Sequence, residues 1–383
     1  METPSLSNSI PTSSPTQLVV TISVSPSSTA SPTLVLPTLT PTPPTLESLL
    51  PSLQPITSVN ASQIRQLAIW KTNQGNQVNQ GSCMAISPDG SLIATGLDDG
   101  VVRLWEVKNG NLHYSLRGHT KAILGVAFST DGLTLASASE DYTIKQWQVS
   151  DGSLIRTLSG FEDGVASVAF SPDGKWLAGG SYDFSIRMWK ANEKGAPRLM
   201  NVKNAFVSAL KFSPDSKLLA TVSNNWKDVL YTVTLWQVFN NKEIRTFRGF
   251  KERINDIAFS HDGILLATVS GSEIDVTGDM DRSVKIWQVS DGKIIRSLEA
   301  QNQPLSAVLF TNDDSAIISS SIGSSTDGTL KVWDAKDGTL LTTLPGSESG
   351  ITSLAISSDG KLLVSAARDG RLQLWGESTQ IVR

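Results

Sequence analysis

Short apolar runs separated by turn residues fill most of the chain, and the segment from Gly118 to Phe161 shows this pattern most clearly. Runs rich in β-branched and aromatic residues lie at 123–128, 133–138, 143–147 and 154–158, with turn residues between them. Four such runs predict a four-stranded antiparallel meander. Because one sheet of this kind cannot bury its own apolar face, the pattern also predicts neighbouring copies.

The copies are visible as two columns that keep one period of about forty to fifty residues. A tryptophan recurs seven times, and an aspartate in a turn recurs with it. The tryptophans are Trp105, Trp147, Trp189, Trp236, Trp287, Trp333 and Trp375, and the turn aspartates are Asp89, Asp131, Asp173, Asp215, Asp262, Asp313 and Asp359.

The chain resembles the WD-repeat β-propeller family. The resemblance rests on the Gly118-His119 start, the Ser-Pro-Asp-Gly turn and the acid six residues before each tryptophan, which only the fourth repeat replaces, with Leu230. It covers roughly residues 64 to 383. The resemblance and the period together predict an all-β protein, a seven-bladed β-propeller of four-stranded antiparallel blades over residues 61–383.

The two chain ends are predicted to meet in one blade. The last repeat stops before its fourth strand, and Ile64-Arg65-Gln66-Leu67 matches the fourth strand Ile155-Arg156-Thr157-Leu158. Closing a ring of sheets removes exposed edges. We therefore expect residues 64 to 70 to form the outer strand of the blade built by residues 350 to 375.

Residues 1–60 are rich in Pro, Ser and Thr, and their only charges are Glu2 and Glu47. Such a composition buries too little apolar surface to offset its ordering entropy, so it predicts a disordered or extended tether. The start Met1-Glu2-Thr3 shows no basic segment of a signal peptide. Similar stalks hold exported bacterial domains away from a membrane, so two compartments stay open: cytoplasmic, or exported and tethered if the true start lies upstream.

Composition narrows the class of partner. The formal net charge is −4, and acids and bases are interspersed, which predicts no binding to nucleic acid. The lone Cys83 excludes an internal disulfide or a multi-cysteine metal site. No apolar run approaches the roughly 20 residues of a membrane span. We expect no cofactor, no metal and a monomer that binds a protein or peptide.

One repeat invites a catalytic interpretation. The family resemblance implies that His119, Ser137, Asp141 and Trp147 form a chain of hydrogen bonds in the second repeat. A His beside Ser and Asp can also activate a hydroxyl nucleophile. The same columns recur without His in other repeats, where Phe161 or Phe250 stands instead. A structural role is therefore favoured.

Four acids in nine positions, Glu273, Asp275, Asp279 and Asp281, could suit a hard cation such as calcium. Their spacing fits no established loop motif. Because Asp281 already belongs to the column before the tryptophan, a solvated acidic loop is favoured, and we predict no metal site.

Three consecutive repeats, the fourth to the sixth, are longer than the others between the turn aspartate and the tryptophan. The extra residues are predicted to enlarge the loops between the second and third strands, and insertions on one face are typical of binding surfaces. Residues just before the acid of the tryptophan column point to the same face. The candidate partner-binding residues are Tyr182, Asn225, Trp226, Lys227, Asp228, Tyr231, Glu273, Asp275, Ser324 and Arg368.

These patterns favour a noncatalytic protein-interaction scaffold, whose partner binds the face with the enlarged loops. The resemblance implies this role, because family members usually present their faces to partners. One alternative is an exported or surface-tethered propeller that recognises peptide or glycan. The other is a propeller hydrolase, although the sequence shows no paired acids, nucleophile motif or nucleotide motif.

Overall fold

The computed structural model describes residues 45–72, 83–203, 205–225, 230–272, 281–299, 303–322 and 328–377. Apart from one short helix and two 3₁₀ turns near residue 50 and residue 62, the described elements are strands. In chain order, the helix is α1 Leu46–Leu49 and the strands are β1 Ile64–Lys71, β2 Met84–Ile86, β3 Leu92–Gly96, β4 Val101–Glu106, β5 Leu112–Arg117, β6 Ile123–Phe128, β7 Thr134–Ser139, β8 Ile144–Gln148, β9 Leu154–Leu158, β10 Val165–Phe170, β11 Trp176–Ser181, β12 Ser185–Lys190, β13 Arg198–Asn201, β14 Phe206–Phe212, β15 Leu218–Asn225, β16 Leu230–Gln237, β17 Lys242–Phe247, β18 Ile254–Phe259, β19 Leu265–Ser270, β20 Val284–Gln288, β21 Ile294–Leu298, β22 Leu305–Phe310, β23 Ala316–Ser321, β24 Leu330–Asp334, β25 Leu340–Leu344, β26 Ile351–Ile356, β27 Leu363–Ala367 and β28 Arg371–Glu377.

The strands form seven four-stranded sheets, and all their pairings are antiparallel. Strands β2–β5 make blade one, and the next five groups of four make blades two to six in order. Blade seven has the order β1-β28-β27-β26. The prediction of a seven-bladed propeller closed by an N-terminal strand is confirmed.

The apolar core lies between neighbouring blades. Second strands are almost wholly buried, as in β7, whereas fourth strands are largely exposed, as in β9. One core cluster packs Ile144 of blade two against Trp189 of blade three. Each sheet therefore buries its faces against its two neighbours, which explains why the repeat needs copies of itself.

The turn aspartates hold the connection between the first and second strands. In blade two, Asp131 accepts hydrogen bonds from the Ser129 hydroxyl at 2.5 Å and from the Leu133 amide at 3.0 Å, while Gly132 adopts a φ of 70°. These turns lie at one end of the ring, which we call the turn face. The opposite end, the loop face, carries the loops between second and third strands and the connections between blades.

The closing strand pairs with blade seven from Ile64 opposite Glu377 to Lys71 opposite Arg371. Its register differs from the expected one. Ala68 lies opposite Leu374, the residue before the tryptophan of blade seven. In blade two, Arg156 lies opposite Gln146, which likewise precedes the tryptophan. Leu67, and not Ile64, is thus the spatial counterpart of Ile155.

The physical reason for this register is the placement of the apolar side chains. Leu67 occupies the irregular position of the pairing and is buried, while Ile64 extends the strand into a separate core cluster with Ile56 and Ala61. The similarity of the two four-residue segments therefore did not reflect their positions in the sheet.

Residues 45–60 do not belong to a disordered tether, so the predicted boundary at residue 60 is wrong for this stretch. Leu49, Leu53 and Ile56 are each at most 2% exposed. The Ile56 amide donates to the carbonyl of Gly360 at 2.9 Å. The average composition of residues 1–60 concealed this apolar cluster, which packs on the propeller; residues 1–44 lie outside the described residues.

Candidate partner-binding face

The polar residues of blade two form a chain of hydrogen bonds. The Trp147 indole N–H donates to the Ser137 hydroxyl at 2.8 Å, and Ser137 Oγ lies 2.8 Å from His119 Nε2. His119 Nδ1 lies 2.8 Å from the Asp141 carboxylate. Burial lowers the pKa of His119 and outweighs the opposing effect of Asp141, so the neutral ring accepts from Ser137 and donates to Asp141.

This arrangement holds a loop against the blade. Ser137 is 0% exposed, and both Trp147 and His119 use its hydroxyl. Burial opposes ionisation of Asp141, but hydrogen bonds from Thr143 and His119 lower its pKa overall. A nucleophile must reach its substrate, and a hydroxyl that is buried and engaged by two side chains does not meet that requirement.

The tryptophan–hydroxyl hydrogen bond recurs in six blades at 2.8–3.0 Å. In blade three Gly179 replaces the hydroxyl residue, and a Cβ there would lie 2.3 Å from Ile144 Cδ1. The pairs are Trp105–Thr95, Trp147–Ser137, Trp236–Thr221, Trp287–Thr268, Trp333–Ser319 and Trp375–Ser365.

Several predicted contact residues lie outside the described residues. They are Trp226, Lys227, Asp228, Glu273, Asp275 and Ser324. Of the others, Arg368 belongs to blade seven, where its amide donates to the carbonyl of Gly350 at 3.1 Å. Two of the described contact candidates, Tyr182 and Tyr231, line one cavity.

The sequence predicted that the insertion of blade four enlarges a loop, and this prediction is wrong. The insertion lengthens the hairpin, because β15 and β16 stay paired up to Asn225 opposite Leu230. Tyr231 therefore lies on a strand and is 8% exposed. In the described part of the hairpin the extra residues continue the strand ladder, which is more favourable than an unpaired loop.

The lengthened hairpin helps to build a cleft of about 500 Å³ on the loop face, between blades three, four and five. Asn224, opposite Tyr231, bridges two blades at its base. Its side-chain amide donates to the Ile254 carbonyl at 3.0 Å, and its oxygen accepts from the Ile254 amide at 3.2 Å. The lining residues are Asp163, Tyr182, Phe206, Ser208, Asn224, Tyr231, Lys251, Glu252, Arg253 and Ser272.

Two aromatic residues, Tyr182 and Phe206, form one wall of this cleft, and a third, Phe184, packs beside them. The rings of Tyr182 and Phe206 meet edge to face with centroids 5.8 Å apart, and the Phe184 centroid lies 5.3 Å from that of Phe206. Phe184 is 41% exposed and adopts a φ of 66°, a left-handed conformation that is uncommon for a bulky residue. The left-handed conformation also occurs at Tyr142, the equivalent residue of blade two, so it belongs to this turn of the repeat; the contact with Phe206 is what distinguishes Phe184.

Most residues of the cleft lining were not predicted from the sequence. Phe206, Glu252 and Arg253 come from the start of blade four and the connection before blade five. In the sequence they appear only as an aromatic residue and a group of charged residues in the connections between repeats. They come close to Tyr182 only when the blades pack together. The Glu252 carboxylate is buried and accepts from the Ser272 amide at 2.8 Å.

The described residues hold no group of three or more His, Cys, Asp or Glu side chains placed to bind a metal. Among the four clustered acids of the sequence, only Asp281 is described, and its carboxylate pairs with Lys285 and accepts from the Ser283 hydroxyl. In the described part of the chain, no helix could span a lipid bilayer.

Comparison with known proteins agrees with this architecture. The family model of the IFT122 first beta-propeller matches residues 80–322, more than half of the chain, and the WD domain, G-beta repeat, matches residues 338–376. A WD repeat-containing protein of Synechocystis, sll1491, is 32% identical over 91 residues, 24% of each chain.

Two fungal proteins match shorter segments. Nuclear distribution protein nudF 1 of Talaromyces marneffei is 40% identical over 47 residues, and nuclear distribution protein PAC1 of Ajellomyces capsulatus is 38% identical over 47 residues. Each match covers 12% of this chain and 10% of the relative, so the aligned segments span a quarter or less of these curated relatives. Together with the seven repeated blades, the family matches show that this chain belongs to the WD-repeat β-propeller family.

Proposed function

We propose that this chain is a noncatalytic protein-interaction scaffold whose partner binds the loop face at the cleft between blades three, four and five. WD-repeat propellers generally bind protein partners, and the fold suggests a scaffold. The single observation that carries the proposal is the partly exposed aromatic wall of Tyr182 and Phe206, with Phe184 packed beside it, at a cavity of about 500 Å³.

The chemistry of this wall suits a protein partner. Aromatic side chains bury a large area at a low cost in conformational entropy, and Tyr adds a polar group, so they dominate the energetics of many interfaces. The fixed edge-to-face packing of Tyr182 on Phe206 holds the wall in place before binding. Trp226, Glu273 and Ser324 lie outside the described residues and stay predicted contacts of the same partner.

Phe184→Gly tests the proposal with little risk to folding. Glycine accepts the left-handed backbone without the cost that Phe incurs, so we expect a free energy of unfolding within about 1 kcal/mol of the parent. The partner captured by residues 45–383 should bind the variant at least tenfold more weakly.

Tyr142→Gly is the matched control. Tyr142 is 40% exposed, adopts a φ of 70° in the corresponding loop of blade two and packs under Lys121 instead of against an aromatic residue of the cleft. Capture should be unchanged in this variant. Equal capture by the parent and Phe184→Gly would contradict the proposed binding face.

A further inference from the structure

Three polar groups in the cleft are available to a ligand. Within the described ranges, the hydroxyls of Tyr182 and Tyr231 and the guanidinium of Arg253 form no hydrogen bond or ion pair, although all three residues line the same cavity. Arg253 is exposed, whereas Tyr231 is buried and Tyr182 half-buried. Each of the three groups is a hydrogen-bond donor, and the guanidinium has no acceptor capacity.

Arg253 lines the same cavity as the two tyrosines, and its charge acts on both phenols. Burial raises the pKa of Tyr182 and of Tyr231, and the positive charge of Arg253 acts in the opposite direction on both. Nearby acids, Glu140 and Asp163 for Tyr182 and Glu252 for Tyr231, add to the upward shift. The guanidinium and the two phenols thus face one shared space.

Charge is divided across the cleft. The connection before blade five contributes Lys251 and Arg253, both exposed, while the connection before blade three contributes the exposed Asp163. Glu252, between the two cations, is buried and engaged by the Ser272 amide. The rim at blade five therefore offers positive charge, and the opposite rim offers negative charge beside the aromatic wall.

We propose that the cleft binds an extended peptide segment of a partner protein, with an apolar side chain against Tyr182 and Phe206 and an acidic side chain next to it against Arg253. This inference rests on the proposed function and specifies the chemistry of the partner. A carboxylate only accepts hydrogen bonds and can take a bidentate contact from the guanidinium, with further donation from the phenols. A basic side chain at that point would meet a like charge.

The test uses an array of octapeptides built from Gly and Ser. Each peptide carries one Phe or Leu, and at each position around it one Glu, Gln or Lys. The full chain should bind the Glu peptides about tenfold more tightly than the Gln peptides at the favoured spacing, because only the carboxylate brings a negative charge to the guanidinium. The Lys peptides should bind more weakly still.

The variant Arg253→Glu separates charge recognition from folding, because the Arg253 side chain is exposed and forms no hydrogen bond or ion pair with another described residue. It should reverse the preference, so that Lys peptides bind more tightly than Glu peptides. Lys293→Glu is the control: its side chain is 82% exposed on the turn face, and the preference should not change.

Three outcomes would overturn the inference. They are equal binding of the Glu, Gln and Lys peptides, an unchanged preference in Arg253→Glu, and no binding by any peptide of the array. The proposed function fails separately. If Phe184→Gly weakens capture of the partner while the charge preference is absent, the scaffold proposal stands and only the peptide chemistry is wrong. If Phe184→Gly changes neither partner capture nor peptide binding, the proposed binding face itself is wrong.

Discussion

Blade two and blade three each hold the same loop of the repeat against the same tryptophan of the repeat, but blade two does so with polar contacts and blade three with apolar ones. In blade two the contact is the polar chain from Trp147 through Ser137 to His119. In blade three Phe161 replaces the His and packs edge to face on Trp189, with centroids 5.8 Å apart. The two solutions share the acid column, because Asp183 accepts the Glu162 amide at 2.9 Å as Asp141 accepts the Thr120 amide at 3.1 Å.

Between these two blades the His and hydroxyl positions change together, whereas blade five keeps the Thr268 hydroxyl beside Phe250. A Ser at 179 would meet both Ile144 and the Phe161 ring, whose Cζ lies 3.2 Å from the Cβ position. Conversely, a His at 161 would find no hydroxyl at Gly179. Arg187 covers the Phe161 ring at 5.1 Å and lies 4.0 Å from the Asp183 carboxylate, so a cation stands beside this acid where blade two has the neutral His119 ring.

The largest effect is expected from Phe161→Ala in blade three. Phe161 is buried against Trp189, and truncating a buried Phe typically costs about 3–5 kcal/mol because a cavity remains. Thermal unfolding monitored by tryptophan fluorescence measures the loss. Leu199→Ala, on the exposed side of β13, is the control and should cost under about 0.5 kcal/mol. Equal shifts for the two variants would contradict the apolar solution.

His119→Ala in blade two should cost about 2–4 kcal/mol, because the Ser137 hydroxyl loses its acceptor and the Asp141 carboxylate loses a donor. The same unfolding experiment measures it. His113→Ala removes a half-exposed ring that lies 3.4 Å from Glu106, and surface pairs contribute at most about 1 kcal/mol. If both substitutions were equally mild, the hydrogen-bond chain of blade two would not stabilise the protein.

Gly179→Ser sharpens the comparison by adding a side chain where Ile144 Cδ1 and the Phe161 ring leave no room. Overpacking should destabilise by about 1–3 kcal/mol. The double substitution Phe161→His with Gly179→Ser should lose less than the sum of the single losses, because the two new side chains can form the polar contact. The measurement is a double-mutant cycle on the unfolding free energy, and strict additivity would show that the two columns are independent.

The blade number could be read from the sequence because two columns have direct physical roles. The turn aspartates bind local hydroxyls and amides, and the tryptophans bind a neighbouring strand, so both must keep their spacing. The closing strand was predictable for the same reason, since an unpaired edge is costly. Its register was not, because the irregularity at Leu67 depends on packing with distant residues.

The cleft was predictable only in part. Tyr182 stood out because it precedes the acid column, but Phe206 and Arg253 belong to other blades and approach it only in the folded ring. Tyr231 was expected in a loop, although pairing with Asn224 places it on a strand. Contacts between blades depend on three-dimensional packing, which a repeat period does not encode.

The smallest effect is a dependence on pH that blade two should have and blade three should lack. Burial lowers the pKa of His119 from its ordinary value of 6.5, so the unfolded chain binds a proton more readily than the folded one. The stability that the neutral ring contributes is complete above pH 6.5 and is lost as the pH falls below it. The pKa of Asp141 is lowered from 3.8, so its contribution persists to greater acidity.

The double substitution His119→Phe with Ser137→Gly would copy the blade three solution into blade two. Thermal midpoints measured from pH 7.5 to pH 5 should fall for the parent and fall less for this variant, because it lacks the titrating ring. The exposed His113 and His261 are common to both proteins and cancel in the difference. Parallel curves would mean that His119 is protonated equally in both states, and the polar and apolar solutions would then differ only in packing.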